Sequence, residues 1–378
     1  MKKKLAIIGG GRMAGIFAQN AREMNIETYC FSLTSGIISP TLFDHIYSVN
    51  ILEREHVLEI CKKEHIDGVV ATTELTIAVA AYVAEELGLV GIPVSIANVI
   101  TDKYRNRIVS NDVKGLIHPH FAEVNSVEEI IDLHFNYPII LKPTSKGGKR
   151  GVIVVQTKEE IENAFNYAMK DAGGALPFII EEFIEGGIEC SVESLSYEGK
   201  NYIIQVTEKV TSGPPHCVEL AHHQPANISL QMRANIEEVL DRALSAIGLQ
   251  NGSCHTEIKI KDENIYLIEF NARPGGDHIA FPLTELSTGY PYIKGAINIA
   301  LGQFAPIDNT KFSNMCAGVL FVTEQTSELK HIFDTCEKYK WCYKKHQNSE
   351  ELKLITHNDG FNNNYFIYRD IKRPNFKN

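Results

Sequence analysis

GSCHTEIKIKDENIYLIEFNARPGG, residues 252–276, is the stretch around which the rest of the chain is organised. Apolar and polar residues alternate with period two in HTEIKI and again in IYLIEF, which predicts two antiparallel strands joined by the polar turn Lys261-Asp262-Glu263-Asn264. Each strand carries one acid. Glu257 and Glu269 fall on paired strands, and Asn271, two residues beyond Glu269, points to the same face of the pleat. Two carboxylates and an amide oxygen on one face are hard oxygen donors of the kind that hold Mg2+ while it bridges to nucleotide phosphates. Two strand glutamates are also what an ordinary solvent-facing hairpin shows, because charged side chains are mostly exposed.

The continuation Asn271-Ala272-Arg273-Pro274-Gly275-Gly276 separates these readings, since an amide, a guanidinium and a mobile pair of glycines directly follow the second acid. Here the sequence resembles the ATP-grasp superfamily of carboxylate-amine ligases, in which an acid, a second acid, and then an Asn and an Arg at alternate positions form the magnesium and phosphoryl-transfer site. The resemblance covers residues 1 to about 305 and is nearest to the L-amino acid ligase (dipeptide synthetase) branch. It implies an α/β protein with the ATP-grasp fold. An N-terminal doubly wound parallel-sheet (pre-ATP-grasp) domain occupies 1–96, and the ATP-grasp domain occupies 97–305. The latter comprises a linker helix, a lid subdomain at about 115–182 and a metal and substrate subdomain at about 183–305, and a small β-rich C-terminal segment follows over 306–378. The resemblance further implies ATP and Mg2+ (or Mn2+) as cofactors, with the metal on Glu257, Glu269 and Asn271.

Composition sets the outer bounds. At 378 residues the chain has room for two or three domains, and 44% hydrophobic with 22% charged residues is the make-up of an ordinary globular protein. No apolar run approaches the ~18 residues of a membrane span, and the N-terminus MKKKLAIIGGGRMAG meets glycines too early for a signal peptide. A cytoplasmic protein without a membrane partner is expected. The eight cysteines show no CxxC or metal spacing, as suits reduced thiols, and a formal charge of -10 argues against nucleic acid as a partner.

Strand and helix alternate through the first 96 residues: strands at Leu5 to Gly9, Glu27 to Phe31 and Gly68 to Ala71, helices at Arg12 to Met24, Arg54 to Glu64 and Leu75 to Leu87. The turn Gly9-Gly10-Gly11-Arg12-Met13-Ala14-Gly15 is not a dinucleotide fingerprint, because Ala14 stands where the last glycine of GxGxxG belongs and no acid ends the second strand. It can still hold an anion such as a substrate carboxylate. Glu74, at the C-terminal end of a strand, is placed either to accept a substrate ammonium or simply to open the next helix, where the dipole favours an acid. A capped helix starts near Asn98, and the resemblance makes its Lys103 a ligand of the ATP phosphates.

Pro138 to Pro143 reads as a buried strand ending in Lys142, and a buried lysine needs an anionic partner. Thr144 to Gly151 is a flexible basic loop, with Ser145, Gly147, Gly148 and Gly151 allowing its backbone to close over phosphates. The resemblance places Lys142 on the α-phosphate, where it also serves catalysis, and the loop over the β and γ phosphates. In the block Phe178 to Glu193, main-chain groups of Glu182, Phe183 and Ile184 suit a purine edge, and the resemblance assigns Glu181 to the adenine end and Glu189 to the ribose.

The segment Thr211 to Ala226 carries three histidines, a glutamate and three prolines. Zinc on His216, His222 and His223 is disfavoured, because adjacent histidines on a strand face opposite ways. By resemblance this is the substrate loop. Glu219 then binds an ammonium, His216 or His223 lines the pocket, and Gly275, Gly276, Asp277 and His278 close it, with His255 beside Glu257. Arg273 is the cation for the transferring phosphoryl group and for the tetrahedral intermediate.

The expected activity is therefore an ADP-forming ligase. A carboxylate, that of an amino acid, is activated as an acyl phosphate and coupled to an amine, and both substrates are small molecules. Family members are often dimers, so a homodimer is open. Two alternatives stand beside this: an ATP-grasp ligase acting on a carrier protein or on a purine-pathway or secondary-metabolite amine, and a noncatalytic nucleotide-binding module. The polar, aromatic tail from Lys340 to Asn378 shows no motif tied to chemistry.

Overall fold

The computed structural model describes residues 2–358 and 360–376. Four parallel strands open the chain: β1 (Lys4–Ile8), β2 (Glu27–Ser32), β3 (His45–Ser48) and β4 (Gly68–Ala71), in the order β3-β2-β1-β4. Helices Arg12–Glu23, Arg54–Glu64 and Glu74–Glu86 connect them, as the alternation predicts. Strand β3 escapes sequence reading because it is a four-residue edge strand, exposed over most of its length, and so lacks an apolar run. Gly9, at φ +110°, has a structural reason: a Cβ there would stand 2.3 Å from Thr72 Oγ1, so the turn after β1 can pass β4 only as glycine.

The expected single linker helix is two. Val94–Ile100 ends, and Lys103–Ser110 begins behind Asp102, whose carboxylate accepts from Arg105 N at 3.0 Å. Asn106 holds the break together. Its Nδ2 donates to the carbonyls of Val99, Ile100 and Asp102 at 2.9, 3.0 and 2.8 Å, while its Oδ1 accepts from Phe270 N at 2.9 Å.

Strand β5 (Leu116–Ile117) leads into an antiparallel sheet of β6 (Phe121–Val124), β7 (Ile139–Pro143), β8 (Ile153–Val155) and β9 (Phe178–Glu182), ordered β6-β9-β7-β8. Helices Val127–Asp132 and Ile161–Asp171 cover this sheet with their own apolar core.

The remaining strands are β10 (Ile188–Tyr197), β11 (Lys200–Thr211), β12 (Glu219–Gln224), β13 (Gly252–Lys261), β14 (Asn264–Asn271), β15 (Cys316–Val322), β16 (Cys342–His346) and β17 (Asn364–Asp370). With β5 they make one nine-stranded sheet, β16-β17-β15-β12-β11-β10-β13-β14-β5. The tail thus extends the main sheet through the β12–β15 pair, and its Tyr365, Phe366 and Tyr368 are core residues. An α/β fold with an N-terminal parallel sheet and C-terminal strands is what the sequence predicted.

The hairpin β13–β14 forms with the expected two-residue turn, Asp262 and Glu263 having φ 49° and 61°. Counting outward from Lys261↔Asn264, a regular ladder would set Glu257 opposite Ile268. A bulge between Glu257 and Ile258 shifts the register so that Glu257 faces Glu269. Because Asn106 ties the linker to Phe270 of this hairpin, Asn106→Ala orphans four backbone groups. It is expected to lower the unfolding free energy by about 2–3 kcal/mol in urea titration.

Candidate active site

One cavity of about 840 Å3 lies between the loops after β1 and β4, the β6–β9 sheet and the main sheet. Its walls bring together Glu74, Lys103, Lys142, Gly147, Gly148, Glu181 to Ile184, Glu189, Glu219, Glu257, Glu269, Arg273, Gly276 and Asp277, most of the residues selected from sequence.

Glu257 and Glu269 are not solvent-facing: their side chains are 12% and 14% exposed. Lys209 Nζ lies 2.8 Å from Glu257 Oε1, and Lys103 Nζ lies 2.8 Å from Glu269 Oε2. Burial raises the Glu257 carboxyl, but Lys209 and His255 hold it well below the usual carboxylate range. Asn271 donates from Nδ2 to Glu269 Oε1 at 2.8 Å and so aims the second acid. Two buried carboxylates that already require cations, with an amide beside them, are a donor set that fits Mg2+ or Mn2+.

Lys103 also donates to Lys146 O at 2.8 Å, and its backbone N–H bonds Thr144 O at 2.9 Å, so the linker helix pins the basic loop. Lys142 has the anionic partner its burial demands, an ion pair with Glu181. The other Glu181 oxygen accepts from Arg107 Nε at 2.7 Å, and Arg107 Nη2 donates to Ile268 O at 2.6 Å. The assignment of Glu181 to the adenine end is therefore corrected: both its oxygens are engaged in holding Lys142 and Arg107.

Of the expected purine edge, the N–H groups of Glu182 and Phe183 already bond His120 O and Pro138 O, and Ile184 O accepts from Lys259 at 2.6 Å. These groups belong to the wall's own hydrogen bonding. Glu189 differs. Its Oε1 is buried without a hydrogen-bond partner among the described residues, 3.6 Å from Lys149 Nζ, and offers an acceptor to a hydroxyl.

Two loop residues fall outside the cavity. Ser145 is exposed, and Gly151, at φ +69°, donates to Asp171 Oδ2 and packs on Pro143 and Ala172, so it anchors the loop rather than touching its contents. Gly147 does face inward, against Glu74: a Cβ would come within 2.8 Å of the Glu74 carboxyl carbon. Glu74 opens its helix and is ion-paired to Arg273, which corrects its reading as a free ammonium acceptor.

On the substrate side, Glu219 Oε1 lies 2.6 Å from Lys209 Nζ, and its backbone N–H donates to Asn358 Oδ1 at 3.0 Å. Strict alternation from Glu219 predicts His223 on the same face. The structure turns His222 there instead, because a bulge pairs Thr211 with Glu219 but Val210 with Ala221, leaving Leu220 as the extra residue. His223 bonds Tyr368 Oη at 3.0 Å and His216 leans on Tyr167 of the lid helix. His278, at φ 72°, is packed against Phe361 and Tyr365, and none of these three histidines lines the cavity. Gly275 lies behind the wall, its N–H donating to Glu193 Oε2 at 3.0 Å, and a Cβ would collide with Glu193 and His255.

Lys209 escaped the sequence reading although it touches three of the selected acids. Its signal was a lysine within a long strand hydrogen-bonded on both sides. Glu193 was read as an outward residue; it is fully buried and ion-paired to His255.

An antiparallel lid sheet gripping one polar cavity against a large antiparallel sheet, beside a doubly wound domain, defines an ATP-grasp architecture. The chain carries an ATP-grasp domain: residues 135–281 match the model of that family. It is 30% identical over 266 residues to the carbamoyl phosphate synthase large chain of Thermotoga maritima, covering 67% of this chain and 23% of that protein. It is 27% identical over 245 residues to the alanine–anticapsin ligase of Bacillus subtilis, covering 59% and 51%. The chain thus spans less than a quarter of the synthase chains it matches. In fold it is similar to an L-amino acid ligase from Bacillus licheniformis, at TM-score 0.80 and 21% identity, covering 98% of this chain and 94% of that one. Among the described residues no helix is long and apolar enough to cross a membrane.

His255 provides a pH signature. Burial lowers its pKa, but Glu193 and Glu257 outweigh this and raise it to about 9. A raised value means that charged His255 stabilises fully below its unfolded pKa of about 6.5, and that this contribution is lost as pH rises through about 9. In magnesium-free buffer, the unfolding free energy of the wild type is expected to fall over that window more steeply than that of Glu193→Gln.

Proposed function

We propose that this protein is an ATP- and Mg2+-dependent, ADP-forming ligase that activates a small-molecule carboxylate, that of an amino acid, as an acyl phosphate and couples it to an amine. The observation that carries the reading is the single cavity in which Glu257 and Glu269 meet Lys103, Lys142, Arg273 and the glycine loop, with Glu219 and Asp277 beside them. The printed activities of the alanine–anticapsin ligase and the L-amino acid ligase support it. Free thiols at all eight cysteines support a cytoplasmic setting.

In this mechanism Lys142 and Lys103 bind the phosphates, the Gly147-Gly148 backbone closes over them, and Glu189 accepts from the ribose. Glu257, Glu269 and the side-chain oxygen of Asn271 would hold the divalent ion, which supplies charge neutralisation on the transferring phosphoryl group. The substrate carboxylate attacks the γ-phosphorus in line, giving the acyl phosphate and ADP. The amine then displaces phosphate, while Arg273 stabilises the charge on the phosphoryl oxygens and on the tetrahedral intermediate.

The test is phosphate release from ATP and Mg2+ across single L-amino acids and pairs, with mass spectrometry of the products. Release that depends on a pair and yields a dipeptide mass supports the reading; no release with any pair overturns the amino acid assignment. Arg273→Lys is expected to lower turnover about 100-fold while ATP affinity by calorimetry changes less than about threefold, because a planar bidentate cation is needed only as charge develops.

A further inference from the structure

Glu219, His222 and Asp277 each bring one ligand atom within 4.8 Å of the others. Glu219 and Asp277 line the cavity. His222 is fully buried behind them, its Nε2 3.1 Å from Glu219 Oε2 but out of line for a hydrogen bond, and among the described residues neither ring nitrogen has a hydrogen-bond partner. A divalent ion is a poor occupant for this triad. The Lys209 ammonium already stands 2.6 Å from Glu219 Oε1 and opposes it, and Gly360 N–H occupies Asp277 Oδ1 at 2.9 Å. An organic ammonium, with three N–H donors for three acceptors, fits better.

An amine that arrives as an ammonium must lose a proton before it can attack. We propose that Asp277 is the general base for the amine, with Glu219 holding the ammonium and His222 completing the acceptor set. The inference rests on the ligase reading above. Its step balances: R–NH3+ passes one proton to the Asp277 carboxylate, and the freed lone pair forms the N–C bond to the acyl carbon. The tetrahedral intermediate then collapses by breaking the C–O bond to phosphate, which leaves with the second nitrogen proton.

The two carboxylates differ in the way this role requires. Burial raises Glu219, but Lys209 and His222 hold it well below the usual range, which makes it an ion-pairing group and a weak base. Asp277 is lifted to about 6 by burial and by the neighbouring Glu219, against the opposing pull of His222, Gly360 N–H and Lys209. It is ionised at neutral pH and still basic enough to take a proton.

Hydroxylamine separates the steps, since it is unprotonated at neutral pH and traps an acyl phosphate as a hydroxamate without a base. The wild type, Asp277→Asn and Asp277→Glu are assayed with ATP, Mg2+ and a mixture of the proteinogenic L-amino acids, with and without hydroxylamine; dipeptides are read by mass spectrometry and hydroxamates colorimetrically. The expected result is a ratio of dipeptide to hydroxamate that falls about 100-fold in Asp277→Asn and partly recovers in Asp277→Glu. A ratio kept at the wild-type value, or both products lost together in Asp277→Asn, overturns the assignment while the ligase reading stands. Neither product from the wild type overturns the ligase reading, and this inference with it.

Discussion

The structure depends on how four neighbouring strands balance buried charge around Lys209. The lysine comes from β11, and the three acids it faces come from the strands on either side and one beyond: Glu219 on β12 at 2.6 Å, Glu257 on β13 at 2.8 Å, and Glu189 on β10 at 3.8 Å. Each carboxylate would be costly to bury alone, and removing one partner from such a buried set typically costs about 3–5 kcal/mol. Buried together they fix one another. The same cation therefore joins the wall expected to hold ribose, the wall expected to hold metal and the wall expected to hold substrate, and burial with neutralisation keeps all three acids ionised and facing one cavity.

Around this centre the molecule repeats one device, the ion pair that crosses between structural units. Arg107 on the linker helix reaches Glu181 on β9 and the carbonyl of Ile268 on β14. Lys103, at the start of the same helix, reaches Glu269 on β14 and the carbonyl of Lys146 in the glycine loop. Arg273 pairs with Glu74 of the first domain. The cations are held by the acids, and a nucleotide polyphosphate with its metal would exchange partners among groups already in place, which limits the reorganisation needed on binding.

Much of the fold was legible because it follows from local periodicity. The hairpin at 252–276, the alternating units of the first domain, the strand that ends in Lys142 and the loop Gly147-Gly148 all appear where apolar alternation and glycine turns predict them. What local periodicity missed has equally local causes. β3 is short, exposed and at an edge, and the linker breaks at Asp102 because a capping acid restarts the helix. His222 replaced His223 because one extra residue, Leu220, inverts the phase of the strand, and a second bulge brought Glu257 opposite Glu269.

The sequence by itself determined the inventory: two strand acids with the amide and guanidinium that follow them, a buried-strand lysine, a glycine loop, and the order of the elements that carry them. Only the tertiary structure decided which charges meet. Glu181 turned from a nucleotide contact into the clamp between Lys142 and Arg107, Glu193 turned inward to His255 and Gly275 N–H, and Lys209 emerged as the common partner of three acids. The physical reason is that periodicity reports one strand's faces, whereas an ion pair is set by register between strands distant in sequence, and a single bulge reverses that register without leaving a mark in composition.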